Sequence, residues 1–278
     1  MSSSPWPTWQ LPSIGSEGLA YDSRMSVPTA LIRPIPSSFH RALVREGQPD
    51  IDVELARAQH DRYRLHLEQA GYSIEVVPTD EDHPDCVFVE DTAVVIGSII
   101  VITRPGAQAR RGETGPVAET LGARFPLVHI SEPGTIDGGD VFISGGTVYV
   151  GRSERTNSEG ISQLRSVASD QGLKLVEVGV HGVLHLKSAV LPIDSDTVVV
   201  TPAAVDEEAL NGLRILYEAD AERHRFSALP VGGGRVLVTA NAPSTSEAVS
   251  SLGLEVVPVD VSQIQAADGG LTCMSVLV

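Results

Sequence analysis

A thiol, an imidazole and several carboxylates in this sequence could together attack a cationic carbon. Cys273 lies five residues from the end, in Asp-Gly-Gly-Leu-Thr-Cys-Met-Ser at residues 268–275. His185 opens a His-Leu-Lys-Ser segment, and carboxylates occur in Asp-Cys-Val-Phe-Val-Glu-Asp at 85–91 and Asp-Gly-Gly-Asp at 137–140. A thiolate is a strong nucleophile once its pKa is lowered or a base stands near. Each segment borders an apolar run, where a folded chain normally avoids such groups, so we interpret them as parts of one site.

Taken singly, these residues have simpler interpretations. An isolated cysteine is more often a buried structural residue, a lone histidine in an apolar strand such as that around His185 is usually a core residue, and Asp-Gly is common in turns. Cys86 lies in a predicted apolar strand and is interpreted as a small buried hydrophobe. The sequence starts without the basic and apolar segments of a signal peptide, so we expect a cytoplasmic protein with reduced thiols.

The charge of the chain restricts its partners. The formal net charge is −16, and of the 20 basic residues only Lys174 and Lys187 are lysines. Nucleic acid requires basic patches, so this partner is not expected. No apolar stretch approaches the roughly 20 residues that span a bilayer, so no membrane partner is expected either. The acidity suits a small cationic substrate, although by itself it equally favours mere solubility. A homodimer is compatible with the sequence.

A repeat of about 50 residues organises the chain. In each copy a segment with helical spacing ends in glycine and an apolar strand follows, because glycine suits the left-handed residue that ends a helix. The glycines are Gly71, Gly122, Gly172 and Gly253. A degenerate further copy has a predicted helix marked by Leu210, Leu213 and Tyr217 and a predicted strand at 226–231.

Hairpins of apolar strands follow the repeat strands. The predicted strands are 87–89 and 92–96 before 99–103, 141–143 with 148–150, 189–193 with 197–200, 235–239 alone, and 271–278. A strand at 30–33 is expected to pair with the last strand and close a ring. Because no repeat unit buries its own face, residues 25–278 are predicted to form one domain, after a loose extension at 1–24. Spacing alone supports a repeated α/β protein.

The four chemical segments, in this order, resemble dimethylarginine dimethylaminohydrolases, members of the guanidino-group-modifying (pentein) enzymes. Arg-Thr-Asn at 155–157 and the segment around Arg110 match the same family. The resemblance implies a five-bladed, pseudo-symmetric α/β propeller built from ββαβ-type repeats. It also implies hydrolysis of Nω-methylated L-arginines to citrulline and an amine through a covalent cysteine intermediate.

The resemblance also implies a role for each site residue. Cys273 would be the nucleophile, His185 the general acid and then base, and Asp137 the carboxylate that orients His185. The expected substrate contacts are Asp91 with the guanidinium, Asp85 with the amino-acid end, Arg110 and Arg155 with the α-carboxylate, Phe39 from a lid loop at 34–48, and also Glu90 and Ala267. Asp140 is expected to be structural. Adjacent strand residues point to opposite faces, which predicts different tasks for Glu90 and Asp91.

Three alternatives stay open. An arginine deiminase would perform the same chemistry, but that family typically carries an aspartate two residues after its histidine, where this chain has Lys187. An amidinotransferase would pass the same intermediate to an amine, and a binding protein on this scaffold would perform no chemistry. No cofactor is expected, and no set of metal ligands is convincing, although Cys273, His185 and a carboxylate could bind zinc adventitiously.

Overall fold

The computed structural model describes residues 27–44, 47, 50–218 and 227–278. The predicted extension at 1–24 lies outside these residues. The α-helices of the described residues are α1 (Val53–Gln69), α2 (Thr114–Gly122), α3 (Ser158–Asp170), α4 (Pro243–Ser251) and the short α5 (Ser262–Gln265). The strands are β1 (Thr29–Ile32), β2 (Ser73–Val76), β3 (Ala93–Ile96), β4 (Ile99–Ile102), β5 (Leu127–His129), β6 (Val141–Ser144), β7 (Thr147–Arg152), β8 (Lys174–Gly179), β9 (Val190–Pro192), β10 (Thr197–Val200), β11 (Arg214–Tyr217), β12 (Ala228–Gly232), β13 (Arg235–Thr239), β14 (Glu255–Val259) and β15 (Ser275–Leu277). None of these helices has the length and apolar character needed to cross a bilayer.

Five three-stranded sheets repeat one connection pattern within the described residues. In the third sheet, β6 pairs antiparallel with β7, and β7 passes through α3 to β8, which returns parallel to β7. A parallel return needs a crossover of this kind, whereas an antiparallel neighbour needs only a turn. Units of this ββαβ type also give β3-β4-α2-β5 and β12-β13-α4-β14. The predicted repeat is therefore confirmed.

The first sheet combines the two ends of the described chain. Strand β15 pairs antiparallel with β1, with Ala30 opposite Leu277, and β1 pairs parallel with β2. This confirms the predicted pairing of the first and last strands. Because the pairing ties the two ends together, we retain the proposal that residues 25–278 form one domain.

The fourth unit corrects the sequence prediction. The predicted helix at 210–217 is a 3-10 turn at Glu207–Leu210 followed by β11, which pairs parallel with β10. Gly212 adopts φ +100° between them, which ends any helix there. Strand β12 is the first strand of the next sheet and pairs with β13, so 235–239 does not stand alone. Phe226, in the predicted strand at 226–231, lies outside the described residues.

The helix-ending glycines behave as predicted in three of four repeats. Gly71, Gly172 and Gly253 have φ values of +98°, +71° and +77°. Gly122 is different, because it is the last residue of α2 and lacks a positive φ. A Cβ at Gly122 would lie 3.1 Å from the Leu127 side chain, so this glycine instead permits close contact between α2 and β5.

Apolar side chains buried between the helices and the sheets form the core. On α1, Ala56, Tyr63 and Leu67 are fully buried and face the first and fifth sheets. Burying a side chain the size of Leu67 stabilises the fold by about 1.5–3 kcal/mol. The Tyr63 hydroxyl bonds the hydroxyl of Ser275, the first residue of β15, at 2.7 Å. The core contact thus also fixes the strand that follows Cys273.

Short 3-10 turns lie directly before, or one residue before, one strand in each of four sheets: β3, β6, β9 and β15. They are Val89–Thr92, Gly138–Asp140, Leu186–Ser188 and Thr272–Met274. The structure corrects the prediction that 87–89, Cys86 and His185 lie in strands and that Cys273 starts one. The repeat brings corresponding turns of successive units to one place, so these turns carry the chemical groups of all four sequence segments.

Candidate active site

A cavity of about 330 Å³ lies between the turns that carry Cys273 and His185. Glu90, Lys187 and Thr272 line it as well. The structure thus brings the predicted nucleophile and the predicted acid–base group to one cavity. Asp91 and Asp137 do not line this cavity, but their carboxylate oxygens lie 3.9 and 3.0 Å from the ring nitrogens of His185.

Asp137 holds His185. Its Oδ2 lies 3.0 Å from Nε2 of His185, and its Oδ1 accepts a 2.8 Å bond from the Gly106 N–H. Burial alone lowers the pKa of His185, but the charges of Asp91 and Asp140 and the bond to Asp137 outweigh it and raise the pKa to about 9. His185 is therefore an imidazolium at neutral pH, poised to donate a proton.

Asp140 has the structural position expected for it. It is fully buried and accepts bonds from the hydroxyls of Ser153 and Thr156, at 2.6 and 2.7 Å. It also accepts a 2.8 Å bond from the backbone N–H of Leu186, the residue after His185. Burial raises the pKa of Asp140 to about 6, despite the opposing charge of His185 and these bonds. The Asp140 carboxylate thereby holds the backbone immediately after His185 in place.

The glycines of the Asp-Gly-Gly-Asp turn permit close approach of three chain segments. A Cβ at Gly138 would lie 2.0 Å from the carbonyl oxygen of Glu90, and one at Gly139 would lie 2.6 Å from Nδ1 of His185. The Gly139 N–H donates to Asp91 Oδ1 at 2.9 Å. A larger residue at either position would separate the groups that the site brings together.

Arg110 pairs with carboxylates of the protein. Its guanidinium forms a two-pronged pair with Glu113, at 3.0 and 2.7 Å, and Nη1 donates to Asp91. Nη2 also donates to the carbonyls of Asp85 and Phe88. These contacts orient Asp91, a role for which the rigid guanidinium fork is suited. The contact of Arg110 with a substrate carboxylate stays a prediction.

Asp91 is charged in this environment. Burial would raise its pKa, but the charges of His185 and Arg110 and the bonds from Arg110 and Gly139 hold it well below its usual range. Asp91 Oδ1 lies 3.9 Å from Nδ1 of His185. The expected difference between Asp91 and Glu90 is present, although a 3-10 turn rather than strand alternation produces it.

Cys273 is a neutral thiol in the free protein. Burial and then the negative charges of Glu90 and Asp91 raise its pKa to about 12, while the Gly270 N–H, 3.3 Å from Sγ, opposes the rise. A cation bound beside these carboxylates would offset their charge and favour the thiolate. The cavity is therefore suited to a nucleophile that a cationic ligand activates.

The glycines before Cys273 let the backbone pass close to other side chains of the protein. A Cβ at Gly269 would lie 2.3 Å from the Phe88 ring, and one at Gly270 would lie 2.7 Å from the Ser227 hydroxyl. The close approach is therefore to the protein itself. Ala267 is buried in the core and does not line the cavity, and its predicted substrate contact stays a prediction.

The lid residue expected at Phe39 is part of the core. Phe39 is fully buried, and its ring packs edge-on against Phe88 with centroids 5.9 Å apart. Leu43, four residues later, is 43% exposed, and its N–H donates to both oxygens of Asp85, at 3.1 and 3.3 Å. Leu43, and not Phe39, is therefore the exposed large apolar residue of the segment at 34–44, and sequence reasoning did not single it out.

The three residues of the Arg-Thr-Asn segment at 155–157 make different contacts. Thr156 bonds Asp140, as described above, and Asn157 caps α3 by accepting the Gly160 N–H at 2.9 Å. Arg155 is half-buried, and its charge opposes the rise that burial causes in the pKa of Asp85. The guanidinium of Arg155 thus lies close enough to the carboxylate of Asp85 to act on its charge.

Replacing Asn157 with alanine should lower the free energy of unfolding by about 1–2 kcal/mol, because it removes the N-cap of α3. The same side chain accepts the Thr135 N–H at 2.9 Å, which places the value at the upper end. Urea denaturation followed by circular dichroism measures the change. Asn211→Ala, in the turn before β11, is the matched control and should change stability by less than about 0.5 kcal/mol; equal losses in both variants would contradict the capping role.

One group of potential metal ligands occurs among the described residues. Ligand atoms of Asp91, Asp137 and His185 lie within 4.8 Å of one another. Cys273, which the sequence suggested for adventitious zinc, is not in this group. Nε2 of His185 already faces Asp137, so a metal bound at this nitrogen would displace the contact that orients His185.

Comparison with known proteins relates this geometry to characterised families. The family model described as arginine deiminase matches residues 54–228. An N(G),N(G)-dimethylarginine dimethylaminohydrolase of Streptomyces coelicolor is 39% identical over 88% of this chain and 94% of that protein. A crystal structure of the Pseudomonas aeruginosa enzyme, a cysteine-to-serine mutant complexed with citrulline, has a TM-score of 0.86 at 31% identity and covers 91% of this chain and all of that one. A dimethylarginine dimethylaminohydrolase adduct with S-methyl-L-thiocitrulline, with the same coverage, has a TM-score of 0.85 at 31% identity.

Proposed function

The chain belongs to the dimethylarginine dimethylaminohydrolase family, within the group that the arginine deiminase model describes, and we propose that it hydrolyses Nω-methylated L-arginines to L-citrulline and dimethylamine or methylamine. The observation that carries this proposal is the meeting of Cys273 and His185 at one cavity, with His185 held by Asp137. The pentein fold of its relatives accounts for the ββαβ sheets.

The substrate enters as a cation, and its positive charge favours ionisation of the Cys273 thiol. Its guanidinium lies near Glu90 and Asp91, whose charges otherwise keep Cys273 protonated. The added positive charge lets the thiol release its proton to solvent. Asp85 and Arg155 hold the amino and carboxylate groups at the other end of the substrate.

The first half of the reaction forms a covalent bond. The Sγ thiolate of Cys273 adds to the guanidinium carbon and gives a neutral tetrahedral adduct; Asp91 stabilises the positive charge of the guanidinium before this step and of the thiouronium after it. The bond from this carbon to the methylated nitrogen then breaks, and the imidazolium of His185 gives its proton to the leaving amine. The product of this half is an S-alkylthiouronium on Cys273.

Water completes the turnover. His185, now neutral and held by Asp137, takes a proton from a water molecule that attacks the thiouronium carbon. The C–S bond breaks, the second proton of the water passes to the departing sulfur and restores the Cys273 thiol, and the water oxygen becomes the ureido oxygen of citrulline. These steps use only groups of this chain, so the proposal includes no cofactor.

The predictions on cellular location, partners and oligomeric state are part of this proposal. We infer a cytoplasmic protein whose partner is a small cationic amino acid, without nucleic-acid or membrane partners; a homodimer is compatible with this function. Of the alternatives, amidinotransfer differs only in the acceptor, and a binding protein would not need the His185–Asp137 contact.

Selectivity is the test of the proposed function. We expect kcat/KM for asymmetric dimethylarginine and monomethylarginine to exceed that for arginine by roughly 5- to 150-fold, the range of about 1–3 kcal/mol for a donor left unpaired. Citrulline formation from the three substrates in parallel measures it. A higher kcat/KM for arginine would replace this function with that of a deiminase.

A further inference from the structure

One carboxylate at the cavity, that of Glu90, accepts a hydrogen bond at each of its two oxygens. Oε1 of Glu90 accepts a 2.6 Å bond from Nζ of Lys187, and Oε2 accepts a 3.0 Å bond from the Thr272 hydroxyl. The carboxylate of Glu90 and the ammonium of Lys187 are largely buried, with side-chain exposures of 11% and 13%. A buried pair with this geometry holds its partners in fixed positions.

This cluster forms a wall of the catalytic cavity. Glu90, Lys187 and Thr272 line the cavity that contains Cys273, and they also line a second cavity of about 330 Å³ on their other side. Among the charges that raise the pKa of Cys273, that of Glu90 is the largest. Glu90 is therefore near the nucleophile, at the end of the cavity where a guanidinium carbon must bind.

We propose that Lys187 and Thr272 determine substrate selectivity by masking Glu90, so that the wall beside Cys273 offers an unmethylated guanidinium nitrogen only a neutralised carboxylate whose two oxygens are already bonded, which is a weaker acceptor. The inference rests on the proposed function. It adds, to the absence of an aspartate at position 187, a carboxylate at Glu90 that Lys187 neutralises. Lys187 and Thr272 act through Glu90 and are specificity-determining residues.

The physical basis is the unequal cost of an unmet donor. An N–H₂ of arginine that enters this wall loses water and finds both oxygens of Glu90 engaged. A dimethylated nitrogen brings methyl groups instead, which gain burial and lose no bond. Removing either partner of Glu90 should therefore favour arginine.

Lys187→Met tests the masking directly. It keeps the length of the side chain and removes the ammonium, so an oxygen of Glu90 becomes available. We expect the ratio of kcat/KM for dimethylarginine to that for arginine to fall about tenfold or more. The ratio is the readout because loss of Lys187, whose charge lowers the pKa of Cys273, slows both substrates.

A double-variant cycle identifies Glu90 as the group that is unmasked. In Lys187→Met/Glu90→Met no carboxylate remains, and the ratio should return to within about threefold of the parent value. Thr272→Val frees the other oxygen and should shift the ratio in the same direction as Lys187→Met. It also decides the question if Lys187→Met does not fold.

Lys174→Met is the matched control, because it removes the only other lysine from an exposed position at the start of β8. Its ratio should equal that of the parent. A ratio unchanged in both Lys187→Met and Thr272→Val, or a fall of equal size in the double variant, would overturn the masking. A parent without activity on any methylated arginine would instead refute the proposed function, so the two failures are distinct.

Discussion

Replacing Cys273 with serine is expected to reduce turnover of methylated arginine by at least about a thousandfold, as loss of a covalent nucleophile does in other enzymes. The environment that makes the thiol respond to a cation cannot ionise a hydroxyl. Burial and the charges of Glu90 and Asp91 raise the pKa of the thiol to about 12, and an alkoxide beside the same charges is inaccessible near neutral pH.

The folded structure should survive this change, since sulfur and oxygen differ little in size and the Gly270 N–H can donate to either. Citrulline release measures turnover, and mass spectrometry of acid-quenched enzyme detects the thiouronium adduct, which the variant should lack. Cys86→Ser is the matched control, because Cys86 is fully buried with Sγ 3.6 Å from the Asp80 carbonyl. Activity of Cys273→Ser within tenfold of the parent would refute the assignment.

Sequence reasoning was most successful where a residue's chemistry does not depend on its exact conformation. The repeat and the pairing of the chain ends followed from apolar periodicity, because each sheet needs partners to bury its faces. The motifs predicted that Cys273, His185 and Asp137 belong to one site. In the structure His185 is hydrogen-bonded to Asp137, and His185 and Cys273 line the same cavity.

The errors concern local geometry and pairing. An apolar run of three residues does not distinguish a strand from a 3-10 turn, so the turns that carry Glu90 and His185 were predicted as strands. Ion pairing depends on residues distant in sequence, and no local pattern links Lys187 to Glu90. Arg110 is three residues from Glu113, but this spacing alone could not show which anion its guanidinium meets.

Replacing His185 with alanine is expected to lower kcat for methylated arginine by about 10²–10⁴-fold, the usual contribution of a positioned acid–base group. Without the imidazolium, the leaving nitrogen receives no proton from the protein and departs more slowly. No base then activates the water that attacks the thiouronium. Binding of substrate should be less affected, because Asp85 and Arg155 contact its other end under the proposed function.

The pH dependence distinguishes this acid from a structural histidine. The pKa of His185 is raised to about 9, so its proton is present at neutral pH and lost as the pH rises through that value. Proton donation to the leaving amine should therefore decline above about pH 9 in the parent. In Asp137→Asn the decline should begin at lower pH, because the pKa of His185 loses one of the contributions that raise it.

His181→Ala provides the control for the alanine substitution. His181 lies four residues earlier, is exposed, and contacts only the exposed carboxylate of Asp206 among the contacts described for its ring, at 2.9 Å. A surface pair of this kind contributes little, so this variant should keep the activity of the parent. If His185→Ala instead matches the parent in steady-state rate and in the adduct seen after quenching, His185 is a core residue and the acid–base assignment fails.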